Sequence, residues 1–216
     1  MSKIRVFALL ARSVAFVVRC VAKILMKKQC KKLQCRLLEL SFFCSRNGVN
    51  DRIAVALLSA EDHRFFFHRG IDPVAMVRAV VLSALGRTQG GSTIEQQLVR
   101  TLVQDYQRTI GRKVKELLLA STVVDCLSKD EVITAYLSIA YFGEKVNGMN
   151  MAKLHLNLNT KSDETDEAYC TLMAHLKYPA CMIGVDRFVR QRTNRARHIL
   201  RRVTTKVSWV RDSRFQ

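Results

Sequence analysis

The sequence predicts a mainly α-helical protein. Capping signals recur ahead of amphipathic runs, stop residues follow them, and no stretch shows the period-two alternation of a half-buried strand. A first helix starts near Asp51 and gives way to a loop at Glu61. In "DPVAMVRAVVLSALG", Asp72 is the N-cap, Pro73 takes the first helical position, apolar residues fall at 74, 77, 80, 81 and 84, and Gly86 is the stop. "STIEQQLVRTLV" reads as a helix opened by a capping box from Ser92 to Glu95. "SKDEVITAYLSIAYFG" reads as another, boxed from Ser128 to Glu131 and closing at Gly143. Further helices fit 163–177, ending before Pro179, and the basic stretch 187–203.

Ahead of these lies "IRVFALLARSVAFVVRCVAKILMKK", apolar but interrupted by Arg5, Arg12, Arg19 and Lys23. On a helix these four fall within roughly 40° of one another, a basic stripe on an apolar cylinder. Mid-span arginines cost about 2.5–3.5 kcal/mol each on insertion scales. A helix lying in the membrane interface with its arginines on headgroups suits the pattern, and a true span and a processed or soluble segment stay open. Residues 1–46 therefore read as a membrane-anchoring segment, 51–203 as one domain, and 204–216 as a basic tail.

The net charge of +18 is unevenly spread. Residues 1–50 carry +10, residues 187–216 carry +9, and the middle carries −1. Basic ends beside apolar sequence suit an anionic lipid surface, and they lack the interleaved aromatics of a nucleic-acid binder. Seven cysteines without regular spacing mark neither a disulfide framework nor a zinc site and read as mostly free thiols, which weakly favours a reducing setting. His63 and His68 lack a third ligand, so no protein-held metal is expected.

Five blocks carry the chemistry: "EDHRFFFHRG" (61–70), "GGSTIEQQLVR" (90–100), "RKVKELLLA" (112–120), "SKDEVITAYLSIAYFG" (128–143) and "RARHILRRV" (195–203). In this order and at these separations they resemble the signature blocks of the family 51 peptidoglycan glycosyltransferases, the transglycosylase domain of penicillin-binding proteins. With no penicillin-binding domain following, the chain resembles a monofunctional biosynthetic transglycosylase. The resemblance implies a lysozyme-like helical domain with a small membrane-associated jaw and an N-terminal membrane helix. It implies polymerisation of lipid-linked disaccharide-peptide (lipid II) into glycan strands at the outer, periplasmic face of a bacterial cytoplasmic (inner) membrane. The implied partners are lipid II, the growing strand, membrane lipids and other cell-wall synthesis proteins, with no nucleic acid. It makes Glu61 the general base and Glu116 the second important carboxylate. Asp62, Ser92, Thr93, Gln96, Gln97, Arg100, Arg112 and Lys113 become substrate-binding.

The reaction explains those residue types. A carboxylate takes the proton of the attacking sugar hydroxyl, and cations neutralise the departing pyrophosphate in a single inverting displacement. A divalent ion (Mg or Mn) on the pyrophosphate would help without being caged by protein. Each feature also has a plainer reading. An adjacent Glu-Asp pair is usually a solvated surface pair, "GGST" a capped turn, and "RKVKE" an exposed helix face with local ion pairs. Phe65, Phe66 and Phe67 read as core or membrane-facing. The chain departs from the family pattern at Glu95, where threonine is usual, and at Arg100, where lysine is usual. Asp125 replaces a glutamate and Ser138 an asparagine. Glu95 would either cap its helix or bring negative charge towards a pyrophosphate site. The rival readings are a non-catalytic relative that holds lipid pyrophosphate or glycan, and a glycan hydrolase. The retained basic block argues against the hydrolase.

Overall fold

The structure, a computed structural model, describes residues 2–44, 49–87, 90–107, 109–158, 164–179 and 188–214, without the side chains of 2–12, 43 and 206–214. The fold is mainly helical, as the capping signals predict. Its elements are α1 (Ser2–Leu25), α2 (Lys27–Cys44), α3 (Asp51–Glu61), α4 (Pro73–Ala84), α5 (Ile94–Val103), α6 (Ile110–Ala120), α7 (Lys129–Ile139), the strands β1 (Tyr141–Gly143) and β2 (Val146–Asn147), then α8 (Met149–His155), α9 (Asp166–Ala174) and α10 (Val189–Arg214). They fall into two compact units, residues 1–47 with 64–136, and residues 48–63 with 137–216.

The first unit centres on α5 and α6, which pack together with α1 and α2 against them. Leu33 and Leu37 of α2, Leu98 and Val99 of α5, and Leu119 and Ala120 of α6 are buried. Gly70 passes so close to α6 that a Cβ there would sit 2.3 Å from the Ala120 carbonyl oxygen, and its φ is +83°, so only glycine fits. In the second unit α3, α9 and α10 pack on one another. Residues 53–60 of α3 are buried all round, joined by Tyr169, Leu172 and Met173 of α9 and Ile199 and Val203 of α10.

Two capping predictions hold. Asp72 accepts from the backbone N–H of Val74 and Ala75, with Pro73 opening α4. Ser128 and Glu131 form a reciprocal box, the Glu131 N–H to Ser128 Oγ at 3.3 Å and the Ser128 N–H to Glu131 Oε2 at 2.8 Å. The box at Ser92 does not form. Thr93 caps α5 by accepting from the Gln96 N–H, while its hydroxyl donates to the Gly70 carbonyl. Glu95 instead points into the first unit, fully buried, where Lys129 Nζ reaches it at 2.6 Å.

Other boundaries shift. The helix expected to close at Gly143 ends at Ile139, because Tyr141–Gly143 pairs with Val146–Asn147 in a short antiparallel hairpin. The helix expected over 163–177 spans Asp166–Ala174, and residue 163 lies outside the described residues. The last helix continues past 203 to Arg214 without a break.

The N-terminal helix forms, but among the described residues no helix is long and apolar enough to cross a membrane. Its basic residues interrupt the run, as insertion costs require. Of the described part of the basic stripe, the Arg19 side chain is 17% exposed and that of Lys23 51%. Arg19 Nη1 and Lys23 Nζ pair with Asp125 at 3.2 and 2.9 Å. Ala15 and Ala22 are buried while Val14, Val17, Val21 and Ile24 on the other side of α1 are exposed. The side chains of Arg5 and Arg12 lie outside the described residues.

Candidate active site

In the first unit six of the expected residues meet through direct contacts. α5 and α6 pack with Arg100 in the last turn of one and Arg112 in the first turn of the other. The Glu116 side chain, only 3% exposed, lies between them. Arg100 grips it with two bonds, Nε to Oε2 at 2.9 Å and Nη2 to Oε1 at 3.0 Å. Arg112 Nη1 also donates to Oε2, and Lys113 Nζ donates to Oε1 at 2.6 Å. Lys113 reaches Ser92 Oγ at 3.0 Å and Gln96 Oε1 at 2.8 Å as well.

This is three cations around one anion, a local excess of two positive charges. Burial alone would raise the Glu116 carboxyl. Hydrogen bonds from Arg100 and Lys113, and their charges, outweigh burial and hold it below the ordinary carboxylate range. For Lys113 burial dominates and pushes the ammonium below its ordinary value, with Arg100 and Arg112 adding repulsion against the pull of Glu116. The Glu116 bond raises Arg100. A carboxylate so engaged organises cations; it has little left with which to take a proton. Beside the cluster, Val99, Val103, Asp105, Lys115 and Leu119 line a cleft with Arg100, Arg112 and Glu116.

Thr93 caps α5, the helix that carries Gln96 and Arg100. Gln97 accepts from the Tyr136 hydroxyl at 2.7 Å, which ties α5 to α7. Glu95 pairs with Lys129, whose ammonium also lies 3.8 Å from the Phe65 ring centre. Phe65 is buried, and Phe66 and Phe67 are half-buried.

Glu61 and Asp62 belong to the second unit. Glu61 is the last residue of α3 and is half-buried, and Asp62 is the buried C-cap, its N–H bonded to the Leu58 carbonyl. Two arginines of α10 reach this helix end. Arg195 Nη2 donates to the Ala60 carbonyl at 2.8 Å and to Glu61 Oε1 at 2.9 Å. Arg202 donates to the Ser59 carbonyl at 3.0 Å. Arg195, Arg202, Lys129 and Tyr136 do not stand out individually in the sequence. The signal for the first two was present in the block "RARHILRRV", whose arginines stand seven apart and so share a helix face.

The six described cysteines are free. Burial pushes the Cys44 thiol to about 11 and Cys170 to about 12, so neither is a nucleophile at neutral pH.

The sequence matches the Transglycosylase family over residues 39–204. It is 38% identical over 116 residues to a monofunctional glycosyltransferase of Staphylococcus aureus (strain JH9), covering 53% of this chain and 43% of that protein. It is 39% identical over 113 residues to penicillin-binding protein 1A of Aquifex aeolicus (strain VF5), covering 51% of this chain and 16% of that protein. Penicillin-binding protein 1F of Bacillus subtilis (strain 168) is 34% identical over 138 residues, 63% of this chain and 19% of that protein. The chain thus spans less than half the length of these relatives.

Proposed function

Because this chain belongs to the transglycosylase family, we propose that it is a peptidoglycan glycosyltransferase that polymerises lipid II by inverting displacement of its undecaprenyl pyrophosphate. The observation that carries this reading is the convergence of Arg100, Arg112 and Lys113 on buried Glu116. The leaving pyrophosphate is already a stable anion, so it needs fixed positive charge more than a proton donor, and a pre-organised cluster supplies that without reorganising during the reaction. Glu116 keeps three like charges together while leaving the cluster net positive. Ser92 and Gln96 orient Lys113, and Thr93 holds the start of α5. Glu61 acts as the general base on the attacking sugar hydroxyl, with Asp62 beside it on the substrate.

A divalent ion, Mg or Mn, accompanies the pyrophosphate in this reading. Both Glu116 oxygens are engaged by cations, so the cluster offers an ion no open carboxylate. It would ride on substrate oxygens, adding neutralising charge there.

The enzyme works at the outer face of the bacterial inner membrane, as a lysozyme-like helical domain with a membrane-facing jaw. Exposed apolar side chains support that placement: Val17, Val21 and Ile24 on α1, and Val77, Val80 and Val81 on α4, two helices of one unit that touch. Lys27, Lys28, Lys31 and Lys32 of α2 are exposed and suit anionic headgroups. Lipid II, the growing strand and membrane lipids are then its partners, with other cell-wall synthesis proteins beside it.

Purified protein in detergent, given lipid II and a divalent ion, should form glycan polymer. Glu61→Gln should lower turnover by at least about 10²-fold while lipid II still binds. Near-normal turnover in that variant would remove Glu61 as the base, and absence of polymer from the intact protein would overturn the activity.

A further inference from the structure

We infer that Arg195 is a positioning residue that fixes the Glu61 carboxylate for its task as base, an inference that rests on the proposed transferase reading. Glu61 occupies the last residue of α3, an unfavourable place for an anion. The final carbonyls of a helix point along the axis and present about half a negative charge there. A carboxylate on a flexible side chain at that point is repelled by its own helix end and has several rotamers open to it.

Two arginines of α10 change this. Arg202 binds the Ser59 carbonyl, and one amino group of Arg195 binds both the Ala60 carbonyl and Glu61 Oε1. The guanidinium therefore bridges the helix terminus and the carboxylate. It offsets the helix-end charge and ties one carboxylate oxygen to a fixed backbone atom. Arg195 Nε has no hydrogen-bond partner among the described residues, so the contacts to Ala60 and Glu61 are what orient the group. Its side chain is 19% exposed and that of Glu61 16%, so water competes weakly with the pair. Arg195 stands on the buried side of α10, one residue before Ala196 and four before Ile199, and the packing of that helix on α3 sets its reach.

Both contacts leave from one nitrogen, Nη2, so the pair needs a cation with the reach of arginine. Lysine would keep the charge, as a compact ammonium on a more flexible stem. A misplaced reacting group costs on the order of 10² in rate even when substrate binding is intact. Arg195→Gln should therefore lower kcat by on the order of 10²-fold with KM nearly unchanged, and Arg195→Lys should recover part of that loss. A purely structural role would move stability but would not give this split or this rescue.

A second measurement does not depend on turnover. Thermal unfolding of Arg195→Gln, Glu61→Gln and the double variant should be non-additive by about 2–4 °C, since each single change breaks the same pair. Additive shifts would overturn the pairing, whatever the activity. Non-additive shifts with unchanged kcat in Arg195→Gln would overturn the positioning role. Non-additive shifts in a protein whose wild type makes no polymer would uphold the pair and sink the transferase reading instead. If Arg195→Gln does not fold, Arg195→Met, which also removes the charge, carries both measurements.

Discussion

Replacing Glu116 by glutamine would leave Arg100, Arg112 and Lys113 close together without the anion that holds them. Breaking a buried ion pair by removing one partner costs about 3–5 kcal/mol, and the partial exposure of the three cations puts this case towards the lower end. The sign of the pH dependence follows from the carboxyl being held down in the folded protein. Its contribution is present above the unfolded carboxylate value of about 4.3 and is lost as pH falls through the lower folded value. Urea unfolding of wild type and Glu116→Gln should differ most at pH 7, and the difference should shrink below about pH 4. Glu95 is a related case with no consequence expected for the cluster. Fully buried, it is matched by Lys129, so Glu95→Gln should cost about 3 kcal/mol. Glu95→Gln with Lys129→Met should recover most of that stability, because no buried charge is then left unmatched. Turnover should stay near wild type in the double variant; a large rise would mean that Glu95 weakens pyrophosphate binding.

At the scale of elements, legibility tracks sequence distance. The cap of α4, the box at the start of α7 and the cation-rich block on α6 are settled within a few residues, and the sequence shows them plainly. The partners it hides are distant: Glu95 meets Lys129 across 34 positions, Gln97 meets Tyr136 across 39, and Glu61 meets Arg195 across 134. Local capping logic assigns Glu95 to a box because nothing local announces the half-buried lysine whose ammonium reaches it. The partner of Arg19 and Lys23 on α1 is hidden for the same reason, since Asp125 stands about a hundred residues away. The pairing predicts how the protein should meet a membrane. With those cations turned to Asp125 and valines turned outward on α1 and α4, apolar contact should dominate. Anionic vesicles should retain the protein in part at 1 M salt, where exposed charges are screened within about 3 Å. Val80→Asp, at a side chain 70% exposed, should weaken retention without lowering stability by more than about 0.5 kcal/mol. Complete release by salt alone would return the contact to the lysines of α2.

Across the whole molecule, two compact units give stability two separate sources, and the N-terminal segment belongs to one of them. Read as sequence, residues 1–46 are an anchor that could be removed with the domain left intact. In the structure, α2 buries Leu33 and Leu37, and Arg36 donates to the Leu102 carbonyl at the end of α5. Ser41 donates to Glu131 Oε1 at 2.7 Å, at the start of α7. Deleting 1–36 would remove Leu33 and the Arg36 bond, and cut α2 just before Leu37. Losing buried leucines costs about 2–5 kcal/mol each, so the loss should fall on stability as well as on membrane contact. It should also fall unevenly, because local opening follows cooperative units that can differ in stability. In hydrogen exchange, the truncated protein should lose protection first in α5 and α6, whose packing partners are gone. Amides of α3, α9 and α10 should keep theirs, since they pack on one another. If the 1–36 deletion leaves α5 and α6 as protected as before, the segment is an appendage after all. Loss of vesicle binding would then be its whole effect.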